Sequence, residues 1–158
     1  FFEEIKLIPL ETNENCLIKE ENKTVYENGV YYVMDRRQGA VFAFDSTGKF
    51  QLKIHNIGKG PGEYLALEDF NINPDLNTID VLSPMGKILQ YHKQTGEFLK
   101  SYNIPNVKAV HAFNYISSYT IILYQYYEEN NILWAKKLEQ KHKLLKEIFL
   151  VQLHRYDK

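Results

Sequence analysis

Val41-Phe42-Ala43-Phe44-Asp45-Ser46-Thr47-Gly48-Lys49-Phe50 is answered 47 residues later by Ile88-Leu89-Gln90-Tyr91-His92-Lys93-Gln94-Thr95-Gly96-Glu97-Phe98. Each copy is an apolar run that enters a Thr-Gly turn and resumes at an aromatic residue. Leu138 stands another 47 residues on, at the end of a third apolar run. A period of about 40 to 50 residues is the mark of propeller blades, each built from four short strands. The repeat therefore reads as an all-β chain of about three four-stranded antiparallel blades, a partial β-propeller.

Working outward, the first repeat divides into strands over 23–26, 30–35, 40–45 and 50–54. Asn28-Gly29 is a hairpin turn, since both residues tolerate positive φ. The second repeat gives strands over 69–73, 78–82, 87–92 and 98–103. The third is less regular, with strands over 111–116, 119–124, 132–138 and 144–150. Within it, Leu138, Leu144, Leu145 and Ile148 also partly fit helical spacing, so residues 133–153 have a helical alternative. Register with the two earlier repeats favours strands. Ahead of the repeats, residues 1–10 read as one more strand, with Pro9 at its end because proline cannot donate a ladder hydrogen bond. The divisions are 1–16 for this strand and loop, 17–54, 55–104 and 105–150 for the blades, and 151–158 for a tail or the start of a further blade. All form one partial domain.

The 158 residues suffice for one domain with a real core. Aromatics make up 14%, chiefly 12 Tyr and 9 Phe, which suits pleated sheet surfaces. With 19 basic and 20 acidic residues the chain lacks the basic excess that releases counterions from nucleic acid. A single cysteine, Cys16, excludes an internal disulfide. No apolar run approaches the roughly 20 residues of a membrane-spanning helix.

Four groups of residues are candidates for chemistry. Gly58-Lys59-Gly60-Pro61-Gly62-Glu63-Tyr64 is a glycine-rich loop that could offer N–H groups to an anion, with Lys59 adding charge. It lacks the Walker spacing and any surrounding βαβ unit, so its simpler role is to carry the chain between blades. Glu63, Glu68 and Asp69 fall near the start of a blade's first strand, where paired carboxylates could serve glycoside hydrolysis. His55 and His111 lie near inter-blade connections, but no short metal-ligand spacing occurs. Tyr126 and Tyr127 sit in a polar loop, where exposed rings stack on sugars or anchor interfaces. Tyr119 and Trp134 read as packing. The candidate ligand-binding set is therefore Lys59, Glu63, Tyr64, Asp69, His111, Tyr126 and Tyr127. No catalytic set, cofactor or metal is called for.

Several of these stretches resemble the six-bladed β-propeller proteins common in Bacteroidetes, broadly similar to NHL-type propellers. The resemblance rests on Ile8-Pro9-Leu10-Glu11-Thr12, Tyr32-Val33-Met34-Asp35, the Val41–Phe50 run, Ile57-Gly58-Lys59-Gly60-Pro61-Gly62-Glu63-Tyr64 and Asp69-Phe70-Asn71-Ile72. It covers residues 5–105 well and the rest weakly. It implies an exported protein of the periplasm or outer membrane, often lipid-anchored, with its signal upstream. It offers no catalytic residues. Six blades need roughly 280 residues. The chain then reads as the N-terminal half of such a ring, completed by a missing C-terminal half or by self-association. The resulting expectation is a non-enzymatic binding or scaffold module of the cell envelope with a protein or glycan ligand. The alternative is a polysaccharide-acting hydrolase or lyase with its site at the propeller channel mouth.

Overall fold

A computed structural model describes residues 5–73, 75–104, 107, 110–117, 120–125, 132–137 and 148–152. The chain divides into two compact units, Phe1–Asn56 and Ile57–Lys158.

The first unit is one antiparallel sheet in the order β1 (Lys23–Glu27), β2 (Val30–Asp35), β3 (Ala40–Asp45) and β4 (Phe50–Ile54). Asn28 and Gly29 turn β1 into β2 with φ of 49° and 81°, the mirror-image turn that suits twisted strands. Ala40 to Phe44 are all buried, because β3 is an interior strand with both faces covered. One face packs Cys16, Val33, Ala40, Phe42 and Phe44 together, with Leu10, Ile18, Tyr31 and Phe50 at its margin.

Residues 5–10 form no strand, contrary to the sequence expectation. The segment is tied to the β3–β4 turn instead. Glu11 N–H donates to the Gly48 carbonyl at 2.8 Å, and its carboxylate accepts from Phe50 N–H at 3.0 Å. Alternating apolar residues alone do not make a strand; a ladder partner is needed, and none pairs with this stretch among the described residues. Further on, Asp35 Oδ2 accepts from Lys19 N–H at 2.7 Å and Glu20 N–H at 3.1 Å.

The second unit holds two sheets. One runs β5 (Asp69–Asn73), β6 (Thr78–Ser83), β7 (Lys87–His92) and β8 (Phe98–Asn103). The other runs β9 (Val110–Ser117), β10 (Thr120–Gln125), β11 (Ile132–Lys137) and β12 (Ile148–Gln152). β5 packs beside β9. Leu82 and Ile88 of the second sheet share a core with Ile104, Val110, Phe113, Ile121 and Leu123.

The duplication seen in the sequence recurs in the backbone. β4 and β8 carry a bulge at the same place, Gln51 opposite the Ala43–Phe44 step of β3 and Leu99 opposite the Gln90–Tyr91 step of β7. Asp45 Oδ1 holds its turn by accepting from Thr47 N–H at 2.8 Å, and His92 Nδ1 receives Thr95 N–H at 3.3 Å. In the third sheet β11 and β12 are strands paired from Ile132↔Gln152 to Lys136↔Ile148, so the helical alternative is excluded there. β12 is described over Ile148–Gln152, and residues 144–147 of the expected strand lie outside the described residues.

Candidate functional site

The glycine-rich loop enters the second unit with Ile57 bridged in parallel to Tyr64 and Gly58 N–H donating to the Tyr64 carbonyl at 3.0 Å. Glu63 closes it. Its carboxylate accepts from Gly60 N–H at 2.7 Å, and its own N–H returns to the Gly60 carbonyl at 3.1 Å. Lys87 Nζ donates to the Glu63 carbonyl at 3.1 Å. Tyr64 is buried, with its ring edge-on to Tyr91 at 6.5 Å, and Tyr91 donates its hydroxyl proton to the Gly62 carbonyl at 2.8 Å. Lys59 is exposed. Glu63 and Tyr64 are thus turned inward to hold the loop itself, while Lys59, Pro61 and the flanking Ile57 and Leu65 are exposed.

The other candidates meet at the boundary of the second and third sheets. Asp69 is buried, and its Oδ2 accepts from Phe113 N–H at 2.9 Å. Asn71, two residues on, donates its side-chain amide to the Phe113 carbonyl. These two side chains grip both backbone polar groups of one residue in the facing strand. His111 Nδ1 and Glu68 Oε2 lie 3.6 Å apart across the same boundary, with the imidazole about half exposed. Among the described residues no three His, Cys, Asp or Glu side chains converge to hold a metal. Tyr126 and Tyr127 lie outside the described residues, as does Tyr119.

The structure therefore brings Asp69, Glu68 and His111 together and keeps Lys59, Glu63 and Tyr64 in a separate loop. Burial gives Tyr64 and Asp69 structural neighbours where the sequence suggested ligand contacts. His55 is exposed, and among the described residues no hydrogen bond or ion pair joins it to the other candidates.

Sequence reasoning missed a polar cluster inside the second unit. Asp80, in the middle of β6, is wholly buried. Its Oδ1 accepts from the Thr78 hydroxyl at 2.6 Å and its Oδ2 from the Gln90 amide at 2.6 Å. The Tyr115 hydroxyl of β9 donates to Oδ2 as well. Tyr102 and Asn73 adjoin the Tyr115 hydroxyl. Burial pushes the Asp80 carboxyl above the usual carboxylate range, against the opposing pull of its Thr78, Tyr115 and Gln90 hydrogen bonds and the Lys100 charge. Burial, then the Asp80 charge, raises both phenols. One signal was available. Asp80 and Gln90 are cross-strand partners, and the matching pair in the first repeat is Tyr32 and Ala43. A carboxylate and an amide at a central-strand pair demand buried partners.

Four-stranded antiparallel sheets repeated along the chain, with a duplicated bulge and turn, define the class: a partial β-propeller. The chain belongs to the family described as a domain of unknown function (DUF4934), which it matches over residues 1–154. A protein of Bacteroides fragilis NCTC 9343 assigned as exported is similar in structure, with a TM-score of 0.72 and 20% identity over 89% of this chain and 40% of its own. A DUF4221 family member from Bacteroides vulgatus ATCC 8482 has a TM-score of 0.57 and 18% identity over 87% of this chain and 44% of its own. The β-propeller domain of Cps50 (Swd1) from Myceliophteria thermophila has a TM-score of 0.56 and 8% identity over 89% and 41%. The chain spans less than half the length of each. No curated protein matches it. No helix among the described residues is long and apolar enough to cross a membrane.

Proposed function

We propose that this domain is a non-enzymatic binding module of an exported cell-envelope protein, with a protein or glycan as ligand. The observation that carries the reading is the use made of the acidic residues. Glu63 and Asp69 each hold a backbone N–H, at 2.7 and 2.9 Å, in a loop and at a sheet boundary. A carboxylate so engaged is a structural acceptor and is poorly placed to protonate a leaving group. The fold shared with an exported Bacteroides protein supports the envelope setting. Completion of a six-bladed ring, by further chain or by a second copy, belongs to the same proposal.

Lys59, Tyr126 and Tyr127 are the side chains assigned to the ligand. Screening the purified domain against envelope polysaccharides and envelope proteins, with calorimetry on the hits, tests this. Combined replacement of Tyr126 and Tyr127 by alanine weakens binding at least tenfold, since each stacked ring contributes about 0.5–1.5 kcal/mol beyond its buried area. Polysaccharide cleavage abolished by Glu68→Gln or His111→Ala would establish the hydrolase or lyase reading instead. The pair at 3.6 Å is the one described constellation that favours it.

A further inference from the structure

The third sheet meets the second through its first strand. Phe113 of β9 is buried there, and its carbonyl and N–H are held by Asn71 and Asp69 of β5. The same pattern recurs one sheet on, since Asp69-Phe70-Asn71-Ile72 in β5 is matched by Ala112-Phe113-Asn114-Tyr115 in β9. The ladders agree: Phe70 pairs with Val81 of β6, and Phe113 with Leu123 of β10. Asn114 therefore occupies the place of Asn71. It follows the buried Phe113, so it stands on the opposite face of the strand, and it is exposed. Ile122 lies across from it, half-buried, and Tyr124 on the same face is exposed, as is Ile116 further along β9. The face that β5 turns to the next sheet thus recurs on β9 as an exposed face.

The grip it repeats sets what such a face fits: a sheet whose first strand turns a carbonyl outward from an uncharged face. The first sheet has one. Its two-residue turn at Asn28-Gly29 makes Glu27 and Val30 a hydrogen-bonded pair, and with them Val25 and Tyr32. Thr24 and Tyr26 therefore turn their backbone N–H and carbonyl groups away from β2. Thr24 pairs with Val33 as Phe113 pairs with Leu123, so it stands at the place of Phe113. The side chains of Thr24 and Tyr26 share one exposed face, Tyr26 at 59%, while the charged Lys23 and Glu27 alternate to the other. The corresponding faces of the other two sheets are closed. Phe70, Ile72 and Val81 of the second are buried, as are Phe113, Ile121 and Leu123 of the third.

We propose that the Asn114 face of the third sheet docks the Thr24–Tyr26 face of a second copy of this chain, with the Asn114 amide donating to the Thr24 carbonyl. This rests on the ring completion proposed above and assigns its partner and contact residues. Ala112 stands where Asp69 stands in the internal grip, so the carboxylate that would hold the N–H is missing. The contact between copies is therefore weaker than the one between the second and third sheets. No charge adjoins the grip: Ala112, Ile122 and Tyr124 flank Asn114, and Tyr26 and Val33 flank Thr24. Depletion of charge is what the centre of a protein interface requires. The contact joins unlike faces, so every copy offers one of each and the association runs head to tail.

Sedimentation velocity at rising chain concentration reads this contact. The unaltered chain passes from monomer to larger species below about 0.1 mM. Asn114→Asp sets a carboxylate against a carbonyl and leaves the chain monomeric, and Tyr26→Lys does the same from the other face. Asn114→Ala raises the dissociation constant about fivefold or more, because the Thr24 carbonyl is then covered without its donor. An equimolar mixture of Asn114→Asp and Tyr26→Lys regains a dimer, since each variant keeps the face that the other lacks. An unaltered chain that stays monomeric up to about 0.1 mM overturns the proposal and leaves the face to a further sheet of a longer protein. Association undiminished in Asn114→Asp overturns it too, and so does a mixture that remains monomeric. Both positions are exposed, and near-ultraviolet circular dichroism checks the fold of each variant. Should Tyr26→Lys unfold, Thr24→Lys on the same face takes its place. Calorimetry with the envelope ligands on the same samples separates the two readings, because a monomer that binds ligand overturns this contact and leaves the binding module standing.

Discussion

Gly62 shows how little freedom a single position in the loop has. Its φ is 74°, and a Cβ there would stand 2.7 Å from Phe98 Cγ. Its carbonyl accepts from the buried Tyr91 hydroxyl. A larger side chain meets both a backbone penalty of roughly 1–2 kcal/mol and an overpacking penalty of about 1–3 kcal/mol. Gly62→Ala accordingly loses about 2–5 kcal/mol in denaturant unfolding of the second unit. A loss below about 0.5 kcal/mol would show that Phe98 yields and that the close approach matters little. Glycines at 58, 60 and 62 were visible in the sequence as a loop signal. Their meaning was not, because the partner that restricts Gly62 lies on β8, 36 residues away in the chain.

β5 is a strand with two unlike faces. Phe70 and Ile72 are buried on one, while Asp69, Asn71 and Asn73 alternate along the other. Such alternation usually marks a wet face. Here Asp69 and Asn71 are spent on the backbone of β9, and Asn73 holds Leu76 N–H at 3.1 Å in the following turn. The matching positions of β1, aligned through Val25↔Tyr32 and Asn71↔Asp80, are Lys23, Val25 and Glu27. The sheets thus share a backbone plan and differ in what their first strands present. Removing one partner of a buried pair leaves the other unsatisfied. Asp69→Ala strands Phe113 N–H and loses about 1.5–3 kcal/mol; Asn71→Ala strands the Phe113 carbonyl and loses about 1–2 kcal/mol. Both raise exchange at β9 amides before those of β6 and β7. Equal protection changes in the two sheets would mean that the grip does not hold β9 specifically.

Across the chain the carboxylates pull stability in opposite directions with pH. Burial alone would raise Asp35, but bonds from the Gln38 side chain and from the N–H groups of Gln38, Lys19 and Glu20 outweigh it and hold the carboxyl below its ordinary value of 3.8. Asp45 is lowered mainly by the Thr47 hydroxyl, with Lys49 and Thr47 N–H adding to it. Stability from such groups is present above the unfolded pKa and is lost as pH falls through the lowered folded value. Asp80 behaves with the opposite sign. The thermal midpoint of the first unit therefore drops steeply below about pH 4. Asp35→Asn makes that drop shallower and lowers the midpoint at pH 7, because the amide offers one acceptor oxygen to four donors. Scanning calorimetry from pH 7 to 2.5 checks it, and an unchanged acid slope in Asp35→Asn would exclude Asp35 as the main acid-labile group.

What the amino-acid sequence determined by itself was the local plan: strand positions, hairpin turns and the 47-residue period, all set by near-neighbour chemistry at Asn28-Gly29, Thr47-Gly48 and Thr95-Gly96. The tertiary structure alone decided which polar residues serve chemistry and which serve packing. Asp69, Asn71, Asp80 and Tyr115 acquire their partners across a sheet boundary, from residues 35 to 44 positions away. Their burial depends on how one sheet lies against the next, and no window along the chain contains both sides of that contact. The same holds for residues 5–10, whose apolar alternation promised a strand but whose neighbours supplied a turn to lie on in place of a ladder.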